Sequence, residues 1–175
     1  PQRSFSPGQP LAYVLFERQM AECMTEVRGK LLETGLPIAL PSSNTRKVTP
    51  LLDSQAEPEQ TSHLVDVSYA DDGTIIFILP AWDMYDALVQ TLVVVSDAFA
   101  KRGHKLNIGA SKTAAMVMWK GDGMKRARHA AWHEHGGRVC GTSALLGNVS
   151  APLVHTYVHL GSVFDANGSL VPEIR

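Results

Sequence analysis

Apolar residues in the first part of the chain recur at steps of three and four positions. They are Tyr13, Phe16, Met20, Cys23, Val27 and Leu31. This spacing places them on one side of a helix, with polar residues on the other side. Pro10 suits the first helical turn, where its missing N–H loses no hydrogen bond, and Gly35 suits the position just past the end. The pattern predicts an amphipathic helix over residues 10–34.

The segment over residues 37–62 shows no such period. It carries four prolines among Ser, Thr, Gln and Glu residues, at Pro37, Pro41, Pro50 and Pro58. Because prolines interrupt helices and remove donors from sheet ladders, we expect a loop excursion with little regular structure here.

Apolar and polar residues alternate from residue 63 onward, with Val65, Val67 and Tyr69 on one side of the chain. A period of two is typical of a half-buried strand. A second run, over residues 74–79, is β-branched and apolar, and Asp71 and Asp72 lie between the two runs, followed by glycine. We therefore predict a β-hairpin over residues 63–79 with the acidic pair at its tip.

The helical period returns after Pro80. Leu88, Leu92, Val95 and Phe99 share one face, which predicts a second helix over residues 81–102, before Gly103. Residues 106–119 then suggest a loop containing Lys-Thr and a strand, and residues 124–135 a basic helix. Residues 154–170 suggest two strands joined by a turn at 165–168.

This order of elements predicts an α+β domain over residues 1–175, with an antiparallel sheet packed against two long helices. A chain of 175 residues is long enough to bury a core of this kind. The sequence begins at Pro1 without a methionine and stops at Arg175. We expect it to be part of a longer protein.

Composition narrows the class of protein only moderately. The chain is 45% hydrophobic and 19% charged, as in ordinary globular proteins, and has neither a membrane-length apolar run nor a signal-peptide pattern. Its formal net charge of -1 gives no overall sign of a strongly basic nucleic-acid-binding protein. Cys23 and Cys140 are far apart in sequence, which suits a reducing, intracellular compartment better than a disulfide framework.

The acidic pair admits two interpretations from the residues alone. Adjacent aspartates on a rigid hairpin are suitable ligands for Mg²⁺, a hard cation that prefers oxygen. Two such ions, held roughly 3.5–4 Å apart, activate a 3′-hydroxyl and bind the triphosphate in nucleotidyl transfer. However, Asp-Gly is also a common turn sequence in hairpins without any catalytic role. The hairpin alone leaves both possibilities open.

The surrounding motifs resemble those of the reverse transcriptases of non-LTR retroelements. The hairpin carries the aromatic-Ala-Asp-Asp motif as Tyr69-Ala70-Asp71-Asp72, and an Asn-x-x-x-Lys-Thr pattern follows as Asn107 to Lys112-Thr113, with one extra residue. A Tyr-x-x-Leu-Gly motif stands at Tyr157, Leu160 and Gly161. Upstream, Pro7-Gly8-Gln9-Pro10-Leu11 is similar to the family's Gln-Gly-x-Pro-Leu stretch, with Pro7 in place of Gln and Ala12-Tyr13 in place of Ser-Pro.

The resemblance implies a polymerase palm and RNA-directed DNA synthesis on an RNA template from a DNA primer and dNTPs, with Mg²⁺ or Mn²⁺ as cofactor. Asp71 would be the main metal ligand and Asp72 the second, while Lys112 would protonate the pyrophosphate leaving group. The implied template and nucleotide contacts are Gly8, Pro10, Tyr69 and Ala70. The implied primer grip is Tyr157, Leu160 and Gly161.

The family's first metal-binding aspartate lies upstream of the Gly-x-Pro-Leu helix, and the chain begins after that point. We therefore expect this chain to be inactive alone and to act together with the remainder of a retroelement polyprotein. Two alternatives remain open: a catalytically decayed retroelement remnant, and a nucleic-acid-binding module without polymerase activity.

A basic and histidine-rich segment supports the second alternative. Lys125, Arg126, Arg128 and His129 suit contacts with phosphates, although a solvated helix face has the same composition. His129, His133, His135 and Cys140 raise the possibility of zinc. Their spacing lacks the paired ligands of a zinc finger, which makes that a weak hypothesis.

Overall fold

The computed structural model describes residues 10–41, 61–69, 72–159 and 162–167. In these ranges it has three α-helices: α1 (Pro10–Thr34), α2 (Met84–Ala100) and α3 (Met124–His129), which continues as a π-helical segment, Ala130–Glu134. The strands are β1 (Ile38–Pro41), β2 (Thr61–Leu64), β3 (Asp66–Tyr69), β4 (Asp72–Ile75), β5 (Ala115–Met116), β6 (Arg138–Ser143), β7 (Gly147–Val154), β8 (Thr156–His159) and β9 (Ser162–Asp165). Helix and strand are mixed, as the sequence predicts for an α+β chain.

The strands of the described residues form four small sheets where the pattern predicted one antiparallel sheet. Three of these are two-stranded antiparallel pairs, β1 with β2, β3 with β4 and β8 with β9. The fourth has the order β5-β7-β6, and β5 is parallel to β7, with Ala115 opposite Leu153. A parallel pair needs a crossover connection, which α3 and β6 supply here.

The second helix is covered on almost every side. Between Met84 and Ala100 only Asp86 and Gln90 are exposed, whereas a surface helix normally keeps one polar face in water. No helix in the described part of the chain is both long and apolar enough to cross a membrane. Other parts of the chain cover α2, one set packing against its first half and another against its second half.

The first half of α2 packs into one hydrophobic core. Its buried residues are Leu92, Val117, Ala131, Val139, Ala151 and Leu153, joined by partly buried neighbours such as Tyr85, Leu88 and Trp132. These residues come from α2, the β5-β7-β6 sheet and the π-helical segment. The core therefore joins the C-terminal part of the chain to α2.

The second half of α2 packs into a different core with α1 and the start of β3. Val27, Leu31, Val65 and Ala98 are buried there, with Val94, Val95 and Ile75 against them. Among the described side chains of the predicted α1 stripe, Phe16 is 39% exposed while Cys23 and Val27 are fully buried. The hydrophobic period thus located α1 but overestimated its buried length.

Paired strands occupy both ends of the segment predicted as a loop over residues 37–62. Ile38 lies opposite Leu64 and Pro41 opposite Thr61, whereas residues 42–60 lie outside the described ranges. A proline at the end of an edge strand removes no ladder hydrogen bond, so Pro41 is compatible with the pairing.

The chain changes strand partner at Val65, which shortens the predicted hairpin. Leu64 pairs with β1, while Asp66, two residues later, pairs with Ile75 in β4. One more hydrogen bond, from the Ile76 N–H to the Val65 carbonyl (3.2 Å), extends this second pairing. The run expected to continue to residue 79 therefore leaves the ladder after Ile75, and Ile78 is 77% exposed.

The C-terminal strands differ from the prediction in their connections. The β8–β9 register pairs His159 with Ser162, so the prediction that a turn at residues 165–168 joins the two strands is wrong. Asp165 instead accepts a hydrogen bond at Oδ1 from the Asn167 N–H (2.7 Å), a local turn after β9. The β6–β7 hairpin was not predicted as such because its alternation is weak, with three glycines at residues 137, 141 and 147.

An ionic cluster joins the end of α2 to α1. Glu26 accepts hydrogen bonds from Lys101 Nζ (2.5 Å) and Arg102 Nη1 (2.7 Å), and Lys30 Nζ lies 3.2 Å away. The hydrogen bonds from Lys101 and then Arg102 lower the pKa of Glu26 from 4.5 to about 2. Lys101 and Arg102 directly follow α2, where cations also interact favourably with the helix dipole.

We predict that Glu26→Gln reduces stability near neutral pH and that the difference from the unmodified chain disappears in acid. The folded-state pKa is lowered, so the stabilisation by Glu26 is present above pH 4.5 and is lost as pH falls toward about 2. Denaturant unfolding at several pH values measures this. Glu33→Gln, at an exposed position of the same helix, should show no such convergence, and a constant difference for Glu26→Gln down to pH 2 would contradict the cluster.

Candidate functional site

The acidic motif lies at one end of the β3–β4 hairpin. Tyr69 is paired with Asp72 and Ser68 with Gly73. Asp72 and Gly73, expected in the turn, thus belong to strand β4. Ala70 and Asp71 lie outside the described residues, as do the side chains of Tyr69 and Asp72.

A bidentate ion pair fixes the opposite end of this hairpin to α1. Arg28 donates from Nε to Asp66 Oδ1 (2.5 Å) and from Nη2 to Asp66 Oδ2 (2.9 Å). The Asp66 side chain is only 2% exposed, whereas that of Arg28 is 46% exposed. The hydrogen bonds that Arg28 donates to Asp66 raise the pKa of Arg28. Two parallel bonds to a nearly buried carboxylate constrain both distance and orientation.

Apolar contacts fix the same end of the hairpin to both long helices. Val65 precedes β3 and is 7% exposed, and it packs with Val27 and Leu31 of α1 and Ala98 of α2. Ile75, the last residue of β4, packs against the same cluster. The base of the hairpin is therefore held in the second core, and the Tyr69–Asp72 pair lies at the other end of the strand ladder.

The donor types at the acidic end suit Mg²⁺. Asp71 and Asp72 together offer up to four carboxylate oxygens within two consecutive residues, and Mg²⁺ prefers such hard oxygen ligands. Gly73 is exposed and adds no side chain beside them. Of the upstream contacts expected from the motifs, Pro10 is the first residue of α1, and Gly8 lies outside the described residues.

The loop containing Lys112 is closed by backbone hydrogen bonds. The Thr113 N–H donates to the Asn107 carbonyl (2.9 Å), and the Lys112 N–H donates to the Gly109 carbonyl (3.0 Å). Lys112 is exposed, and among the described residues its ammonium has no hydrogen bond or ion pair. Asn107 thus shapes the loop through its backbone, and the Lys112 side chain projects from a defined turn.

Tyr157 joins the β8–β9 hairpin to this loop. Its hydroxyl donates a hydrogen bond to the Lys112 carbonyl. Two of the candidate residues, distant in sequence, are thereby brought together. Leu160 and Gly161, the other residues of the expected primer grip, lie outside the described residues.

A basic and aromatic depression lies on the other side of the first core. It is lined by side chains of the α3 region and of the β7–β8 connection: Lys125, Arg128, His129, Trp132, His133 and His155. Sequence analysis found the cations but not Trp132 and His155, whose rings stack 4.3 Å apart. Because the two residues belong to separate elements, no local pattern could have predicted that contact.

The histidines and cysteines do not assemble as a zinc site would require. His129 and His133 have ring centroids 4.5 Å apart, but His135 is stacked on Tyr85 at 3.8 Å. In the part of the chain that the structure describes, no three His, Cys, Asp or Glu side chains are grouped to hold a metal ion. The Cys140 thiol is free and exposed.

We predict that Arg28→Ala destabilises the chain by about 1–3 kcal/mol, because it leaves the nearly buried Asp66 carboxylate without its hydrogen bonds from Arg28. Chemical denaturation measures the loss. Arg18→Ala is the matched control, since Arg18 pairs with Glu22 on the same helix but its side chain is 78% exposed; there we expect less than about 0.5 kcal/mol. Equal losses in the two variants would show that the hairpin does not depend on the Arg28–Asp66 pair.

No protein-family model matches the chain, and no curated protein or solved structure matches it. Its function has to be inferred from the motifs and from the contacts that surround them.

Proposed function

We propose that the chain is part of the palm of an RNA-directed DNA polymerase of the non-LTR retroelement type, with Asp71 and Asp72 as its metal ligands. The observation that carries this proposal is the register of the β3–β4 hairpin, in which Tyr69 lies opposite Asp72. The first residue of the aromatic-Ala-Asp-Asp motif is therefore the last residue of β3, and its final aspartate is the first residue of the antiparallel strand β4. This is the placement that the motif has in the family it resembles.

The anchoring of the hairpin supports the same proposal. Catalysis by bound metal ions requires carboxylates whose positions are fixed within fractions of an ångström. The Arg28–Asp66 pair and the packing of Val65 and Ile75 hold the base of the hairpin against two helices. This double attachment suits a hairpin that has to hold metal ligands in fixed positions.

Bound Mg²⁺ would supply Lewis-acid stabilisation of the phosphate oxygens and activation of the primer hydroxyl. The task of the chain is then to hold two carboxylates, Asp71 as the main ligand and Asp72 as the second. Tyr69 and Ala70, with Gly8 and Pro10 upstream, would contact the template and the incoming nucleotide.

The Lys112 loop and the β8–β9 hairpin contribute the other proposed roles. The Lys112 ammonium has no hydrogen bond or ion pair with another described residue, which suits proton donation to the pyrophosphate leaving group. Tyr157 donates to the Lys112 carbonyl and so ties this loop to the proposed primer grip, which also includes Leu160 and Gly161. The proposed partners are an RNA template, a DNA primer and dNTPs, with the remainder of the polyprotein.

A nucleic-acid-binding module without polymerase activity is the second candidate. The observation that favours it is the depression lined by Lys125, Arg128 and three histidines, which does not involve the acidic pair. A decayed remnant that retains the fold is distinguished from an active enzyme only by assay.

We predict that the chain binds Mn²⁺, used here as a paramagnetic probe, through Asp71 and Asp72. Electron paramagnetic resonance titration of free Mn²⁺ measures the affinity, and Asp71→Asn should weaken it by at least about tenfold, since even loss of a residue that orients a ligand costs roughly 10- to 100-fold. Asp122→Asn removes the same charge from an exposed position elsewhere and serves as the control. If both variants bind Mn²⁺ as the unmodified chain does, the acidic pair is not a metal site.

We predict Mg²⁺-dependent extension of a DNA primer on an RNA template when the chain is assayed within its full-length polypeptide. Asp71→Ala should reduce extension to background because it removes the main metal ligand, while Asp122→Ala should leave the rate unchanged. Primer extension on denaturing gels measures both. Retained metal binding without any extension would identify a decayed enzyme, and extension insensitive to Asp71→Ala would contradict the proposed site.

A further inference from the structure

The depression beside α3 combines cations and aromatic rings in a way that no local pattern in the sequence reveals. Its volume of about 480 Å³ lies within the range of small-ligand sites, roughly 300–1,000 Å³. Among the described residues, the lining consists of one lysine, one arginine, three histidines and one tryptophan, without a carboxylate. The composition therefore favours an anionic ligand with a planar part.

The two permanent cations of the depression are available to a ligand. Lys125 and Arg128 lie on α3 and are exposed, and neither forms an ion pair with another described residue. One carboxylate is close to a lining residue: Glu134 Oε1 lies 3.9 Å from His129 Nδ1, and both side chains are exposed. By contrast, Lys101 and Arg102 are both occupied by Glu26. The cations of α3 are thus not explained by contacts within the fold.

The aromatic part is a stack held in place by the core. The rings of Trp132 and His155 are nearly parallel, with an interplanar angle of 13° and centroids 4.3 Å apart. Trp132 packs against the first core, and a Cβ on Gly137 would lie 2.8 Å from its ring, so the close approach requires glycine there. His155 is exposed. The indole therefore supports an imidazole on the solvent side of the stack.

The helix geometry itself contributes to this arrangement. The hydrogen bond from the His135 N–H to the Ala130 carbonyl (2.9 Å) spans five residues, so the segment from Ala130 to Glu134 is wound as a π-helix. Such wide turns are rare and often occur at functional sites. Here the wide turn contains Trp132 and lies directly after the cations of α3.

Phosphates joined to stacking bases are the ligand chemistry that uses both parts. Lys and Arg contact phosphates without regard to sequence, and bases stack on Trp and His rings. An acidic peptide would use the cations but gains nothing specific from the stack. A metal ion finds no suitable group of three ligands in the described residues.

We propose that this depression binds a single-stranded nucleic acid, with Lys125 and Arg128 on its phosphates and a base on the Trp132–His155 stack. The inference rests on the second candidate function, a nucleic-acid-binding module, and names its site; the lining residues named above belong to the α3 region and the β7–β8 connection, not to the β3–β4 hairpin. It requires neither metal nor catalysis.

The contribution of the cations is tested with fluorescein-labelled oligo(dT) and oligo(U) of about 12 nucleotides, by fluorescence anisotropy of the full chain in EDTA. Arg128→Gln should weaken binding about fivefold or more and reduce the salt dependence of log K by about 0.7. Arg126→Gln is the matched control, because Arg126 is exposed on the same helix but does not line the depression. Equal effects of the two variants would overturn the proposal.

The contribution of the stack is tested with His155→Ala, which should weaken oligonucleotide binding about fivefold, the lower end of the usual effect of losing one stacked base. His135→Ala is its control, since His135 is also exposed and stacked on an aromatic ring, that of Tyr85, outside the depression. Inorganic polyphosphate is the second probe. Arg128→Gln should weaken polyphosphate binding, and His155→Ala should leave it unchanged.

Three outcomes decide the assignment. Similar affinity for oligo(dT) and oligo(U) supports recognition by phosphate and base alone, and a preference for oligo(U) supports the site with an added 2′-hydroxyl contact. The proposal is overturned if polyphosphate or poly-glutamate binds as tightly as the oligonucleotides and His155→Ala has no effect. The depression would then be a general anion site or a site for acidic proteins. Because the titrations are run in EDTA, failure of the Mn²⁺ experiment on Asp71 leaves this result unaffected.

Discussion

Burial of α2 on nearly all sides is the constraint on which the rest of the structure depends. Its first half completes the core formed with the β5-β7-β6 sheet, and its second half completes the core formed with α1 and the β3–β4 hairpin. Both cores depend on it, because each includes a buried residue of α2, Leu92 in one and Ala98 in the other. The cluster of Glu26, Lys101 and Arg102 then fixes the end of α2 against α1.

Because the two cores share α2, the candidate functional residues are divided between the two sides of this helix. The acidic motif belongs to the α1 side of the chain, through Arg28 and Val65, while the cations of α3 and the Trp132–His155 stack belong to the opposite core. A straight helix of 17 residues spans about 25 Å at a rise of 1.5 Å per residue. The two candidate sites are thus supported by one element but draw on different side chains, which lets their roles be tested independently.

Features that depend on residues close together in sequence could be predicted, whereas features that depend on distant residues could not. The range of α1 and the existence of α2 came from periodic apolar residues, which depend on neighbours three and four positions away. The hairpin at Tyr69 and Asp72 was predicted, but its length was not. β3 begins only at Asp66 because Leu64 pairs with β1, a contact across the segment rich in proline. Likewise, the cations of α3 were visible in the sequence. Their pairing with a stacked Trp132 and His155 was not, because these rings meet only in the folded chain.

The π-helical turn after α3 has a consequence for how related chains should be compared. An ordinary α-helix advances about 100° per residue, so removing one residue between Ala130 and Trp132 would rotate the indole by about that angle relative to Lys125 and Arg128. Every charged and aromatic residue would still be present in such a chain, yet the stack with His155 would be lost. The depression is therefore encoded partly in the number of residues in this segment. Two chains with the same residue types but a different spacing in this segment would therefore differ in the shape of this depression. An alignment that scores residue types and tolerates a single gap would not reveal that difference.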